Sequence, residues 1–254
     1  MLDEKECDRT REISESFAAV LDERYDCISR ALVPPVYFAR RVAVRGRACV
    51  AKLILYYEDD CEGGALNKRK KAGFAMEKHV YPRLRGWPVK LVDSFSSRAG
   101  DVVVTTEYAN DAWDSYVPST DSDAAVARSL LRQVRAIHRL GVAHNDLLLK
   151  NILFRKPRGV AVIDFEKSTR SRRGGKKQQW DYWSLIEALL EQSSTRGVAF
   201  CALLELAESG HEDVAKRALT NAVENLATKS SDNEREGRWA ATSKKKSKSR
   251  RQQG

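Results

Sequence analysis

Hydrophobic and polar positions divide the chain into a strand-rich first half and a helical second half. Residues 1–30 read as a charged amphipathic helix whose broken apolar stripe is Ile13, Phe17, Val20, Leu21 and Ile28. Val33-Pro34-Pro35 ends it, because proline cannot continue a helix. Val36 to Val44 and Ala48 to Tyr57 are rich in β-branched and aromatic residues, and Arg45-Gly46-Arg47 between them suits a hairpin turn. Residues 58–71, acidic and then basic, read as a solvated connection. Ala72 to Arg85 has helical spacing through Phe74, Met76, Val80, Tyr81 and Leu84, with Pro82 expected to kink it. Val89 to Phe95 and Asp101 to Tyr108 complete the strands.

Beyond residue 110 the period changes. Asp121-Ser122-Asp123 can cap a helix carrying Val126, Leu130, Leu131, Val134 and Ile137, and Gly141 suits its left-handed end. Ile152 to Phe154 and Val160 to Ile163 read as short strands around Lys156-Pro157-Arg158-Gly159. Trp180 to Gln192 and Ala199 to Ala227 read as helices, the second broken at Gly210. The pattern predicts an α+β chain: a helical extension over 1–32, a β-rich lobe over 33–110, a reduced helical lobe over 111–228, and a disordered tail over 229–254.

Composition narrows the class. The 254 residues are 42% hydrophobic, enough for a core. No run approaches the roughly 20 apolar residues of a membrane helix. Met1-Leu2-Asp3-Glu4-Lys5-Glu6 lacks the apolar centre of a secretory signal. Cys7, Cys27, Cys49, Cys61 and Cys201 are scattered and form no CxxC pair, which argues against a zinc site and for a reducing compartment. We therefore expect an intracellular protein, cytoplasmic or nuclear, with no membrane partner. The net charge is +10, but seven basic residues lie between Arg238 and Arg251 without an acid, so the remainder is only mildly basic. A second basic stretch, Lys167 to Lys177, reads as a solvated loop. Both stretches leave a nucleic-acid partner open as a minor role.

Chemistry concentrates in His144-Asn145-Asp146-Leu147-Leu148-Leu149-Lys150-Asn151 and, thirteen residues later, Asp164-Phe165-Glu166. An aspartate and an asparagine five positions apart, with a second aspartate leaving an apolar strand, supply the hard oxygens that magnesium shares with phosphates. An aspartate beside such a site can orient a hydroxyl while a phosphoryl group moves.

These segments resemble the HRDLxxxN and DFG motifs of the protein-kinase-like superfamily, and Asp181-Tyr182-Trp183-Ser184-Leu185 is similar to its DxWSxG helix start. The resemblance covers roughly residues 36–225. It implies a bilobal kinase-like fold and an ATP- and magnesium-dependent phosphotransferase whose expected acceptor is a protein serine or threonine hydroxyl, with a small molecule as the alternative. Carried over, Asp146 is the catalytic aspartate, Asn151 and Asp164 are the magnesium ligands, His144 buttresses the loop and Asp181 anchors its backbone. Val50-Ala51-Lys52 resembles the VAIK strand, which makes Lys52 the phosphate-contacting lysine and Glu77 its helix partner. Thr105 to Ala109 would be the hinge, with backbone groups of Glu107 and Ala109 facing adenine.

Several departures set the chain apart. No GxGxxG precedes Lys52, and Glu166 replaces the DFG glycine, where it could add a metal ligand. Leu148 stands where serine/threonine kinases carry a phosphate-contacting lysine, and Lys150 is the candidate to replace its charge. Sixteen residues separate Asp164 from Asp181, with no APE. Such brevity resembles compact branches: RIO-type kinases, lipopolysaccharide kinases, and aminoglycoside or choline phosphotransferases. The same departures keep a pseudokinase scaffold as the alternative.

Overall fold

The computed structural model describes residues 15–32, 39–55, 63–97 and 100–220. A five-stranded antiparallel sheet of order β1-β2-β3-β5-β4 forms the first lobe, from β1 (Asp26–Leu32), β2 (Ala39–Val44), β3 (Arg47–Leu55), β4 (Leu91–Ser96) and β5 (Gly100–Thr106). β2 and β3 meet at a two-residue turn, Arg45 and Gly46, both at positive φ (52° and 73°), the geometry that matches the twist of a hairpin. Side chains then alternate between two faces. One face carries Val42, Cys49, Ala51, Leu53, Val102 and Val104, covered by Phe17 and Leu21 of helix α1 (15–24). The opposite face carries Val50 and Lys52 across from Thr105 and Val103. That parity directs Lys52 away from the α1-covered core.

Three sequence expectations are corrected here. Residues 26–32 are not helical but pair with β2, Asp26 opposite Ala43; the open edge of β2 offers backbone partners that a short, interrupted helical stripe cannot match. Residues 63–71 are not a loop connection but the first half of helix α2 (Gly63–Val80), in which Lys68, Arg69 and Lys71 are exposed as expected. Their Lys/Arg run has good helix propensity, and the added turns bring Lys70 onto the face that carries Glu77. Pro82 does not kink a helix interior: α2 has ended, and the proline sits in a 3₁₀ turn, Tyr81–Arg83. The expected positions 1–14, 33–38, 56–62, 221–228 and the basic tail lie outside the described residues.

The second lobe packs α3 (Thr120–Arg139), α4 (Lys176–Glu191), α5 (Arg196–Glu208) and α6 (212–220) around Leu130, Ile137, Leu185, Leu189 and Leu206. Ser119, not the acidic triplet, caps α3, its hydroxyl accepting from Ser122 N–H at 3.2 Å. Gly141 follows the helix at φ 69°. Two small antiparallel pairs lie on top: β6 (Val142–Ala143) with β9 (Thr169–Arg170), and β7 (Ile152–Arg155) with β8 (Gly159–Val162). The 167–177 stretch is thus tied down at its centre by β9 and enters α4 at Lys176. The α+β, bilobal, kinase-like fold read from the sequence is what the chain adopts. Among the described residues no helix is long and apolar enough to cross a membrane.

Candidate active site

The loop at 144–151 is shaped by groups behind it. Asp181, fully buried on α4, accepts the backbone N–H of His144 and of Asn145, both at 2.7 Å, and meets His138 Nε2 at 2.8 Å. Two amides and one ring nitrogen on one carboxylate leave the loop little freedom. Asn145 takes φ 62°, and its Nδ2 reaches across to the Lys167 carbonyl at 2.9 Å and Thr169 Oγ1 at 3.0 Å. His144 is buried against Phe165, with ring centroids 5.2 Å apart. Burial lowers its pKa, so the ring is neutral: Nε2–H donates to the Ile163 carbonyl at 3.0 Å and Nδ1 accepts from Asp146 N–H at 3.3 Å.

This scaffold presents Asp146 and Asn151 together. Asn151 Nδ2 donates to the Asp146 carbonyl at 2.8 Å and to Asp146 Oδ2 at 3.0 Å, which turns Asn151 Oδ1 the other way. The same Oδ2 meets Lys167 Nζ at 3.0 Å. Asp164 leaves β8 at φ 67°, a left-handed conformation that aims its carboxylate at the sheet. Asp164 Oδ1 lies 2.6 Å from Lys52 Nζ, and Glu77 Oε1 lies 3.2 Å from the same nitrogen. Glu77 Oε1 also accepts the Phe165 N–H at 3.0 Å, so α2, β3 and the Asp164 turn meet at one point.

The charges respond to this crowding. Burial pushes Glu77 up from 4.5 to about 7, with Lys52 opposing and Asp164 adding to the shift. Burial works against the Lys52 ammonium too, but Glu77, Asp164 and Glu166 outweigh it and raise its pKa. Burial would raise Asp164, yet Lys52 holds it below the usual range. Glu77 Oε2 is buried with no hydrogen-bond partner.

Glu166 packs on α2. Its carboxylate pairs with Lys70 and lies 3.7 Å from Lys52 Nζ. Gly73 makes the approach possible, since a Cβ there would sit 2.5 Å from the Glu166 carbonyl oxygen. Glu166 is thus turned toward two lysines, beside Asp164 on the same Lys52 ammonium.

A cavity of about 440 Å³ opens between the lobes, the size of a small-molecule site. Ala39, Val50, Val103, Leu153 and Ile163 give it apolar walls, while Lys52, Glu77, Asn151 and Asp164 gather at its polar end. Glu107 is on the wall, its carboxylate paired with Arg41 and its N–H donating to the Ala48 carbonyl at 3.0 Å. Ala109 does not line the cavity; Tyr108 and Asn110 on either side of it do. Lys150 stands exposed on the cavity lining and makes no ion pair among the described residues. The structure therefore brings together Lys52, Glu77, Asn151 and Asp164, sets Asp146 beside Asn151, and leaves Ala109 apart.

Among the described residues no three His, Cys, Asp or Glu side chains are grouped to hold a metal. Asn151 and Asp164, both on the cavity lining, offer hard oxygens of the kind magnesium shares with water and phosphate. Sequence reasoning missed Lys70, Lys167 and Asn145 as site residues. The first two sit in basic runs indistinguishable from solvated faces, and the third occupies a position where the kinase motif carries arginine.

Residues 103–205 match the model of the lipopolysaccharide kinase (Kdo/WaaP) family. The matched stretch is less than half of the 254 residues and runs from β5 through Asp146, Asn151 and Asp164 into α5. Lys52 and Glu77 lie before it, and geometry alone joins them to the site. No curated protein matches the chain. The matched family is one of kinases, and the chain is a kinase-type phosphotransferase.

Proposed function

We propose that the chain moves the γ-phosphate of ATP, with magnesium, to the hydroxyl of a small-molecule acceptor. The observation that carries this reading is the ion-pair line Glu77–Lys52–Asp164, which ends beside the hydrogen-bonded pair Asn151–Asp146. ATP would lie with its base against Val50, Glu107, Tyr108 and Asn110, and its phosphates toward Lys52. Asn151 and Asp164 would hold magnesium, which when bound neutralises phosphate charge. Asp146 would accept the hydrogen bond of the acceptor hydroxyl and take its proton as the oxygen–phosphorus bond forms. Phosphoryl transfer asks little covalent chemistry of the protein, so positioning and charge supply most of the rate.

What surrounds Asp146 supports a small-molecule acceptor over the protein serine or threonine expected from the sequence. The stretch after Asp164 is folded onto the 144–151 loop through β9 and Asn145, and α4 begins at Lys176. That leaves no extended platform for a polypeptide between Asp164 and Asp181. The description of the matched family likewise names a lipopolysaccharide kinase. The short segment between Asp164 and Asp181 also supports kinship with small atypical kinases.

Transfer of labelled γ-phosphate from ATP, measured against pools of small hydroxyl compounds and of proteins, tests the reading. Asp164→Ala should lower turnover by about 10³-fold or more while leaving the unfolding midpoint near that of the parent. Turnover undiminished in that variant rejects the site. Label arriving on protein serine or threonine instead of small molecules overturns the acceptor class. Absence of thermal stabilisation by millimolar Mg-ATP favours a nucleotide-free scaffold.

A further inference from the structure

Transfer of a phosphoryl group spreads negative charge over its peripheral oxygens, and a cation near the acceptor side lowers that cost. Leu148 offers none, and it is 40% exposed. Lys150, the sequence candidate, is exposed and unpaired among the described residues. Lys167 is different. Its Nζ lies 3.0 Å from Asp146 Oδ2, the same oxygen that takes Asn151 Nδ2 at 3.0 Å.

The backbone beneath Lys167 is fixed on both sides. Its carbonyl accepts from Asn145 Nδ2 at 2.9 Å. Next to it, Ser168 N–H donates to the Phe165 carbonyl at 3.0 Å and Ser168 Oγ to the His144 carbonyl at 3.2 Å. The side chain itself is 62% exposed, so its pairing with Asp146 adds little to stability. A weakly bound ammonium on a rigid base, beside the proposed proton acceptor, is free to engage an arriving anion. An ammonium carries three donors and can hold Asp146 with one and a phosphate oxygen with another.

We infer that Lys167 is a catalytic residue, its ammonium contacting the γ-phosphoryl oxygens during transfer and supplying the charge that Leu148 does not. The inference rests on the phosphotransfer reading above. In that step the acceptor oxygen bonds to γ-phosphorus, and its proton goes to Asp146. The bond from γ-phosphorus to the bridging oxygen breaks, and ADP leaves with the electron pair. Lys167 neither gains nor loses a proton.

Steady-state kinetics of Lys167→Met, Lys167→Arg and Lys150→Met provide the test, with the full chain and Mg-ATP varied up to saturation. Lys167→Met should lower kcat by about 10²-fold with KM for ATP within about threefold and the unfolding midpoint unchanged. Lys167→Arg should retain an intermediate rate. Adding Leu148→Lys to Lys167→Met should recover about tenfold of the lost kcat, a rescue that a structural role would not give. A Lys167→Met kcat within twofold of the parent, or a larger kcat loss in Lys150→Met, overturns the inference while leaving phosphotransfer standing. No transfer by the unaltered chain to any acceptor overturns the phosphotransfer reading, and this inference with it.

Discussion

On the sheet side of the cleft, side-chain charges position one another: Lys52 between Glu77 and Asp164, with Glu166 drawn in by Lys70. On the helical side, Asp181 grips backbone N–H groups, and His144 and Asn145 grip carbonyls. Backbone bonds fix where a loop runs, whatever its outward side chains do. Charge pairs fix only the charged tips, and those tips can be exchanged for a ligand's. The helical side therefore behaves as a rigid platform, and the sheet side as a set of charges that phosphates can enter and rearrange.

The sharpest way to break the platform is Asp181→Ala. It leaves one buried and one part-buried N–H group and the His138 ring without their acceptor, and losing one partner of such a cluster costs about 3–5 kcal/mol. Urea unfolding should register that loss, and Asp181→Asn should restore part of it. A loss under about 1 kcal/mol would mean that the loop holds its shape without Asp181.

Gly73→Ala probes the seam where the two sides touch. A buried helical glycine changed to alanine ordinarily gains up to about 1 kcal/mol from helix propensity. Here the new Cβ would lie 2.5 Å from the Glu166 carbonyl oxygen and 2.8 Å from its Cγ. Backbone must move, so the variant should instead lose about 1–3 kcal/mol and bind Mg-ATP more weakly, because α2 carries Glu77. Stabilisation in the same urea experiment would show that Glu166 does not pack on α2.

The platform was the more legible half in the sequence. His144, Asp146, Asn151 and Asp181 act through fixed spacing along a loop and a helix start, and spacing survives in one dimension. Lys52 and Glu77 were legible only with that loop in hand, since a strand lysine and a helix glutamate look like surface. Lys70 and Lys167 were not legible as site residues. Their partners, Glu166 and Asp146, are distant along the chain, and only folding chooses one lysine from Asn67-Lys68-Arg69-Lys70-Lys71 or from the Lys167 stretch. β1 escaped for a similar reason, because its strand form depends on the edge of β2. Ser119 was overlooked as a cap since two aspartates stand just beyond it.

The difference between the two sides also has a pH signature, with opposite signs. Glu77 titrates near 7 in the folded chain against a usual 4.5, so between those values the folded state holds the extra proton. Its contribution to stability therefore falls as pH rises across that window. His144 is shifted the other way: burial lowers it from 6.5, so the unfolded chain binds the proton first, and its contribution is lost as pH falls below 6.5. In the parent protein the two slopes oppose each other around pH 6. Glu77→Gln removes only the falling one, so unfolding free energy measured by urea at several pH values between 5 and 7, without nucleotide, should climb more steeply with pH than in the parent. A slope unchanged by the substitution would mean that Lys52 keeps Glu77 ionised throughout, and that the sheet side is as indifferent to pH as backbone bonds would be.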